Sequence, residues 1–203
     1  VVNNSLIKVD GGGLQAIQDG LDFGNGAHVF VAAGTYGGAI SSAHSTDNAL
    51  TIWADDVTLL GSGAPQLSFT SATGANAVVI SGSGATFSGF EVTDTSNITS
   101  AVILVSGADA RVTDNTISAG VATIDGILIQ ASGALIDGNS ILGLGASGTG
   151  RGIVVDSGAG TLDGIQITNN LVDGFGGTGI LIDPVFGPSV VGNTVINVGG
   201  NGI

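Results

Sequence analysis

Three observations predict an all-β chain wound as a solenoid. The apolar content is aliphatic and β-branched: 43% of the 203 residues are hydrophobic, while Phe, Trp and Tyr number only 7, 1 and 1. Glycine interrupts it throughout, 37 residues in all with only 3 prolines, against an ordinary glycine usage of about 7%. With no strict Gly-X-Y period, this is not collagen, and a mean hydropathy of +0.52 excludes a disordered chain. The second observation is a repeat, and the third is that the apolar runs within it span four to six residues, alternate, and are bounded by Gly, Asn, Asp or Ser. Such runs read as short strands, because helices need longer stretches of 3.6 period.

Taken from the N-terminus, the first periodic stretch is the exception. Leu14, Ile17, Gln18 and Leu21 follow helical spacing, which predicts a short amphipathic helix over Gly13 to Phe23. Laid across the end of a solenoid, it would cover the bare interior and blunt the strand edges. The strand His28-Val29-Phe30-Val31 and the turn Ala32 to Tyr36 come next. From there on the chain aligns with itself. Gly126-Ile127-Leu128-Ile129, Gly152-Ile153-Val154-Val155, Gly179-Ile180-Leu181-Ile182 and Gly202-Ile203 form one column, at intervals of 26, 27 and 23. Phe87, Val112, Ile136, Ile167 and Val190 form a second, at intervals of 25, 24, 31 and 23, and the long interval carries the extra glycine-rich stretch Ser157 to Gly164.

Three residues after each member of the second column comes Phe90, Asn115, Asn139, Asn170 or Asn193. One Asn per repeat suits a tight corner in the left-handed conformation, with its side chain bonded to the corners above and below. A unit of this length, carrying two or three short strands, buries its apolar face only by stacking. A leucine-rich repeat would need a Leu-x-x-Leu-x-Leu frame that is missing. The reading is one domain over residues 1–203, a parallel β-helix of about seven or eight coils spaced about 4.8 Å apart. The chain stops within a repeat at Asn201-Gly202-Ile203, which reads as the N-terminal part of a longer protein.

Charge narrows the partners. Sixteen acidic residues, all Asp except Glu91, face Lys8, Arg111 and Arg151, for a net charge of -13. Nucleic acid is excluded because its binding needs clustered cations. Anionic polysaccharide and anionic membrane are disfavoured unless a divalent metal bridges the like charges. The absence of cysteine removes disulfides, thiol catalysis and Cys-ligated zinc. No apolar run reaches the roughly 20 residues of a membrane span, and Val1 to Ser5 lacks a leader pattern.

The order Leu14-Gln15-Ala16-Ile17-Gln18-Asp19-Gly20-Leu21, then Val29-Phe30-Val31-Ala32-Ala33-Gly34-Thr35-Tyr36, resembles the opening of right-handed parallel β-helix proteins of the pectin-lyase-like superfamily. The later Asn-Thr-Ile and Gly-Ile-Leu-Ile rows are similar to repeats of its carbohydrate-binding and sugar-hydrolase members. The resemblance runs from about Leu6 to Ile203 and implies a right-handed coil, but it speaks weakly to activity, because the superfold hosts lyases, hydrolases, epimerases, tailspikes and adhesins. Its catalytic signatures do not assemble. Asp55-Asp56 follows His28 and His44, the wrong order for a polygalacturonase-like set. Asp183-Pro184 is followed by Val185 where an epimerase-like site needs His. Lyase-like elimination would fall to Arg111 or Arg151.

The repeat register also places candidate site residues. Asp125 and Arg151 should stack one coil apart as an exposed ion pair, and Arg111 should face solvent between Thr86 and Leu135. Asp156 and Asp183 share a column with Gln130 and Ser106, so two carboxylates would lie about 4.8 Å apart, a spacing that calcium could bridge. Solvated aspartates are the plainer alternative. Trp53 could stack on a sugar or simply pack. Ser42, His44 and Asp47 crowd one polar loop and do not compose a hydrolase triad. Asn97-Ile98-Thr99 matches a glycosylation acceptor. The expectation is an extracellular or cell-surface module, structural or bound to a polysaccharide or cell-surface glycan through Trp53, Gln130, Asp156 and Asp183, with calcium at Asp156 and Asp183. The alternative is a polysaccharide lyase, hydrolase or uronate epimerase.

Overall fold

The computed structural model describes residues 5–70, 72–94, 97–145, 148–158, 161–183 and 185–203. Val1 to Asn4, Pro184 of the Asp183-Pro184 pair and residues 159–160 of the glycine-rich stretch lie outside them. Among the described residues the chain coils into three parallel sheets of eight, seven and six strands, plus a two-stranded pair. Each turn of the solenoid gives one strand to each sheet in order. The first sheet runs from Leu6–Val9 and His28–Val31 to Ser189–Val191, the second from Thr35–Tyr36 to Thr194–Ile196, and the third from Leu50–Ile52 to Ile180–Ile182. Every pairing is parallel and joins successive coils, as the two sequence columns require: Val112 pairs with Phe87 and Ile136, and Ile127 with Ile153.

Apolar columns from all three sheets fill the interior, the third sheet adding a second one of Ile52, Ile80, Val105, Ile129 and Val155. Val29, Leu59, Phe87, Val112, Ile136 and Ile167 come from the first sheet, Leu67, Val92, Ile117, Ile141 and Val172 from the second, and Leu50, Val78, Ile103, Ile127 and Ile153 from the third, all wholly buried. Each such side chain contributes about 1.5–3 kcal/mol of apolar burial. The glycine of the Gly-Ile column is dictated by this core, since a Cβ at Gly126 would strike Ile141 Cγ2 and one at Gly152 would strike Val172 Cγ1.

The asparagines form an inter-coil ladder, with one correction to their expected backbone. The Oδ1 atoms of Asn115, Asn139, Asn170 and Asn193 accept from the backbone N–H of Phe90, Asn115, Asn139 and Asn170, at 2.9 to 3.0 Å. Each Nδ2 donates back to a first-sheet carbonyl, as from Asn139 to Val112 O at 2.8 Å. The left-handed residue is the one before each ladder position, Gly89, Asp114, Gly138, Asn169 and Gly192, with φ between 56° and 81°. The chain must turn first, so that the following carboxamide lies along the solenoid axis.

The predicted helix is α1, Gly13–Leu21, two residues shorter than its spacing suggested. Asp22 is its C-cap, with its backbone N–H still bonded to Gln18 O, and Gly24 at φ 96° turns the chain out of the helix; the Asp22 carboxylate accepts from the Gln18 amide (2.9 Å) and the Ser42 hydroxyl (2.6 Å). Leu14, Ile17 and Leu21 cover the first coil. Gln18, wholly buried, acts as a substitute peptide group: its Nε2 donates to Thr51 O (3.0 Å) and its Oε1 accepts from Thr51 N (2.8 Å). The glycine-rich stretch supplies an extra strand, Leu162–Asp163, paired with Val185–Phe186.

Candidate functional site: the outer groove of the third sheet

Alternation turns three columns of the third sheet outward. The middle one, Val79, Leu104, Leu128, Val154 and Leu181, is in register from coil to coil and forms an aliphatic strip apart from the main core. Residues immediately after the strands make the next column, Trp53, Ser81, Ser106, Gln130, Asp156 and Asp183, and those after Trp53 are tied to the preceding coil by their backbone; Ser81 N donates to Ile52 O, Ser106 N to Ile80 O, Gln130 N to Val105 O, Asp156 N to Ile129 O and Asp183 N to Val155 O. All four expected carbohydrate residues thus lie on one line parallel to the solenoid axis.

They do not share one site. A groove of about 420 Å³ takes in Gln130 and Asp156 on one side. Leu128 lies at its floor, and Thr99, Thr123 and Thr149 form the opposite wall. Asp183 lies one coil beyond, exposed. Trp53 lies three coils toward the N-terminus, where its ring stacks on His44 (centroids 3.8 Å apart, planes at 13°) and its Nε1 donates to Asp22 at 3.3 Å. Ser42 Oγ also bonds Asp22, so Ser42, His44 and Asp47 assemble no triad.

Asp156 Oδ1 accepts from Gly158 N at 2.9 Å, an interaction within its own turn. The column puts Asp183 on the adjacent coil, but among the described residues no group of three or more His, Cys, Asp or Glu could hold a metal ion.

The Asp125–Arg151 pair is where expected, though it is not the exposed link anticipated. The Asp125 side chain is 10% exposed, and it receives three bonds: from Arg151 Nη2 at 2.7 Å, Nε at 3.1 Å and backbone N at 2.8 Å. Both side chains also line the groove. Asp125's hydrogen bond holds the Arg151 proton above the ordinary guanidinium range, against the opposing effect of burial, with further attraction from Asp125 and Asp156. The threonine wall was missed in the sequence, although Thr99, Thr123 and Thr149 recur at intervals of 24 and 26, the period of the repeat itself.

Two other recesses are larger. One of about 660 Å³ on the first sheet is lined mainly by apolar groups such as Leu6, Phe30 and Val31. Its one charged residue, Lys8, pairs with Asp10 at 2.9 Å, so it offers few convergent polar groups. Another of about 530 Å³ gathers Asp109, Arg111, Ser132, Asp163 and Gln166 at the turn between the third and first sheets. Arg111 stands between Thr86 and Leu135 in register and is exposed, as expected. No helix among the described residues is long and apolar enough to cross a membrane.

Comparison with known proteins agrees with the coil geometry. No curated protein and no solved structure matches the chain. A family model described as a right handed beta helix region matches residues 57–203, more than two thirds of the sequence. That match and the parallel solenoid accord with the resemblance to pectin-lyase-like proteins. The chain belongs to the right-handed β-helix family.

Proposed function

We propose that this chain is a polysaccharide-associated module of an extracellular or cell-surface protein, and that it binds glycan in the outer groove of the third sheet. The observation that carries the reading is the groove's composition. Hydroxyl, amide, carboxylate and guanidinium groups from adjacent coils converge there around Leu128, its one aliphatic side chain, the kind of convergent polar groups that orient a hydroxyl-rich ligand. An enzymatic role as lyase, hydrolase or epimerase ranks second, because Asp125 is committed to Arg151 and Asp156 alone remains as an acid or base. The test is calorimetric titration with a panel of soluble oligosaccharides, alongside assays for reducing sugar and for the ultraviolet absorbance of unsaturated uronate products. Binding without product, weakened about tenfold or more in the Gln130→Ala, Asp156→Ala double variant, is the expected result. Product release in proportion to protein would reverse the order of the two readings.

A further inference from the structure

We infer that the groove selects an uncharged glycan and rejects uronates; this deepens the glycan-binding reading and rests on it. The charged groups lining the groove are Asp125, Arg151 and Asp156, a net charge of one negative. A guanidinium grips a carboxylate through two parallel N–H bonds, and both the Nε and Nη2 of Arg151 are already used in this way by Asp125. A uronate could take that fork only by displacing Asp125, leaving a largely buried carboxylate without its partner, which is a costly exchange, and the remaining Nη1 edge of the guanidinium already lies in the field of both Asp125 and Asp156. The remaining charge, Asp156, repels an acidic sugar, and the net charge of -13 on the chain adds to the repulsion.

What stays available is suited to hydroxyls. Thr99, Thr123 and Thr149 are exposed along the wall, one on each of three coils, and each can donate or accept. Gln130 and Asp156 face them across the floor. A linear glycan laid along the axis would meet an equivalent threonine at each step of about 4.8 Å. The contrast is the recess at the neighbouring turn, where Asp109 and Asp163 also leave a net charge of one negative but Arg111 makes no ion pair among the described residues, so its fork is open to a carboxylate. A uronate drawn to this protein would go there.

The experiment compares neutral oligosaccharides of the cello and manno series with oligogalacturonate in matched salt, with and without millimolar calcium chloride. At least one neutral series is expected to bind about tenfold or more tightly than oligogalacturonate. Any residual uronate binding should disappear in Arg111→Ala. In Asp125→Asn the guanidinium is released, and uronate affinity should rise about tenfold. If that variant does not fold, Arg151→Gln replaces it, with uronate binding expected to be no weaker than in the wild type. Uronate bound as tightly as neutral sugar, bound only with calcium, or bound in a way that survives Arg111→Ala and is lost in Arg151→Gln, would overturn the inference while leaving glycan binding intact. Failure of every oligosaccharide to bind would overturn both.

Discussion

At the N-terminal end of the solenoid the outermost strand of the third sheet, Leu50–Ile52, meets the Gln18 amide, and α1 lies over the first coil, so that Val29, Tyr36 and Leu50 are all buried. At the C-terminal end the corresponding inward residues of the last coil, Val190 and Val195, are only partly buried, whereas Ile167 and Val172, one coil inward, are wholly buried. A parallel solenoid closes each coil with the next one, so interior burial depends on what lies on both sides. A helix substitutes for a coil only if it supplies both an apolar face and a peptide-like hydrogen-bonding group. Leu14, Ile17 and Leu21 provide the first and Gln18 the second.

The largest expected effect tests that substitution directly. Gln18→Leu keeps the apolar cover but strands the Thr51 N–H and C=O in a buried setting, where each unsatisfied group costs about 1–3 kcal/mol. We expect chemical denaturation to show a loss of about 2–5 kcal/mol, with increased self-association through the bared strand edge. A change below about 0.5 kcal/mol would mean that the helix caps by apolar cover alone.

A middle-sized effect compares a ladder position inside the stack with one in the last described coil. Asn139→Ala removes bonds to Val112, Asp137, Asn115 and Asn170 inside the stack, and should cost about 2–4 kcal/mol. Asn193→Ala acts in the last coil, where the residue is only partly buried, and should cost about half as much. Equal losses from thermal and urea unfolding would show that the last coil is held as firmly as the middle ones.

The smallest effect concerns a link on the outer face of the first sheet. Asp137 Oδ1 accepts from Thr168 Oγ1 at 2.6 Å and from Asn169 Nδ2 at 2.9 Å, and these bonds, Thr168's foremost, pull its pKa below the usual carboxylate value against a slight opposing desolvation. A carboxylate depressed in the folded state adds stability that is fully present above the unfolded value and is lost as pH falls through the folded one. Melting temperatures of wild type and Thr168→Val should therefore converge as pH drops through and below the ordinary carboxylate range, with Thr168→Val lower at neutral pH. The gap should be small, because the site is only half-buried and screened by solvent. A gap independent of pH would assign the Thr168 contribution to packing instead.

Much of this architecture could be read before any coordinates. The Phe87 to Val190 and Gly126 to Gly202 columns gave the register because in-register stacking makes every inward position equivalent, so sequence period and spatial period coincide. The asparagine ladder was legible for the same reason. Its left-handed corner was placed one residue late, since Asn and Gly both tolerate positive φ and the column alone does not say which of two neighbours turns. The groove was only half legible. Gln130 and Asp156 followed from the register, but Asp125 and Arg151 looked like a solvent-exposed link, because a repeat states which residues stack and not how deeply they are covered.

By itself the sequence determined the coil, its period, the capping helix and an excess of negative charge. Those properties depend on residue type and spacing along the chain. Only the tertiary structure decided that the threonine wall, Leu128, Gln130, Asp156 and the Asp125–Arg151 pair share one groove, that Trp53 stacks on His44 at a distance of three coils from that groove, and that Gln18 completes the edge of a sheet. Those contacts bring together residues from different coils and loops, and their geometry depends on side-chain direction and burial, which are set only when the coils are stacked.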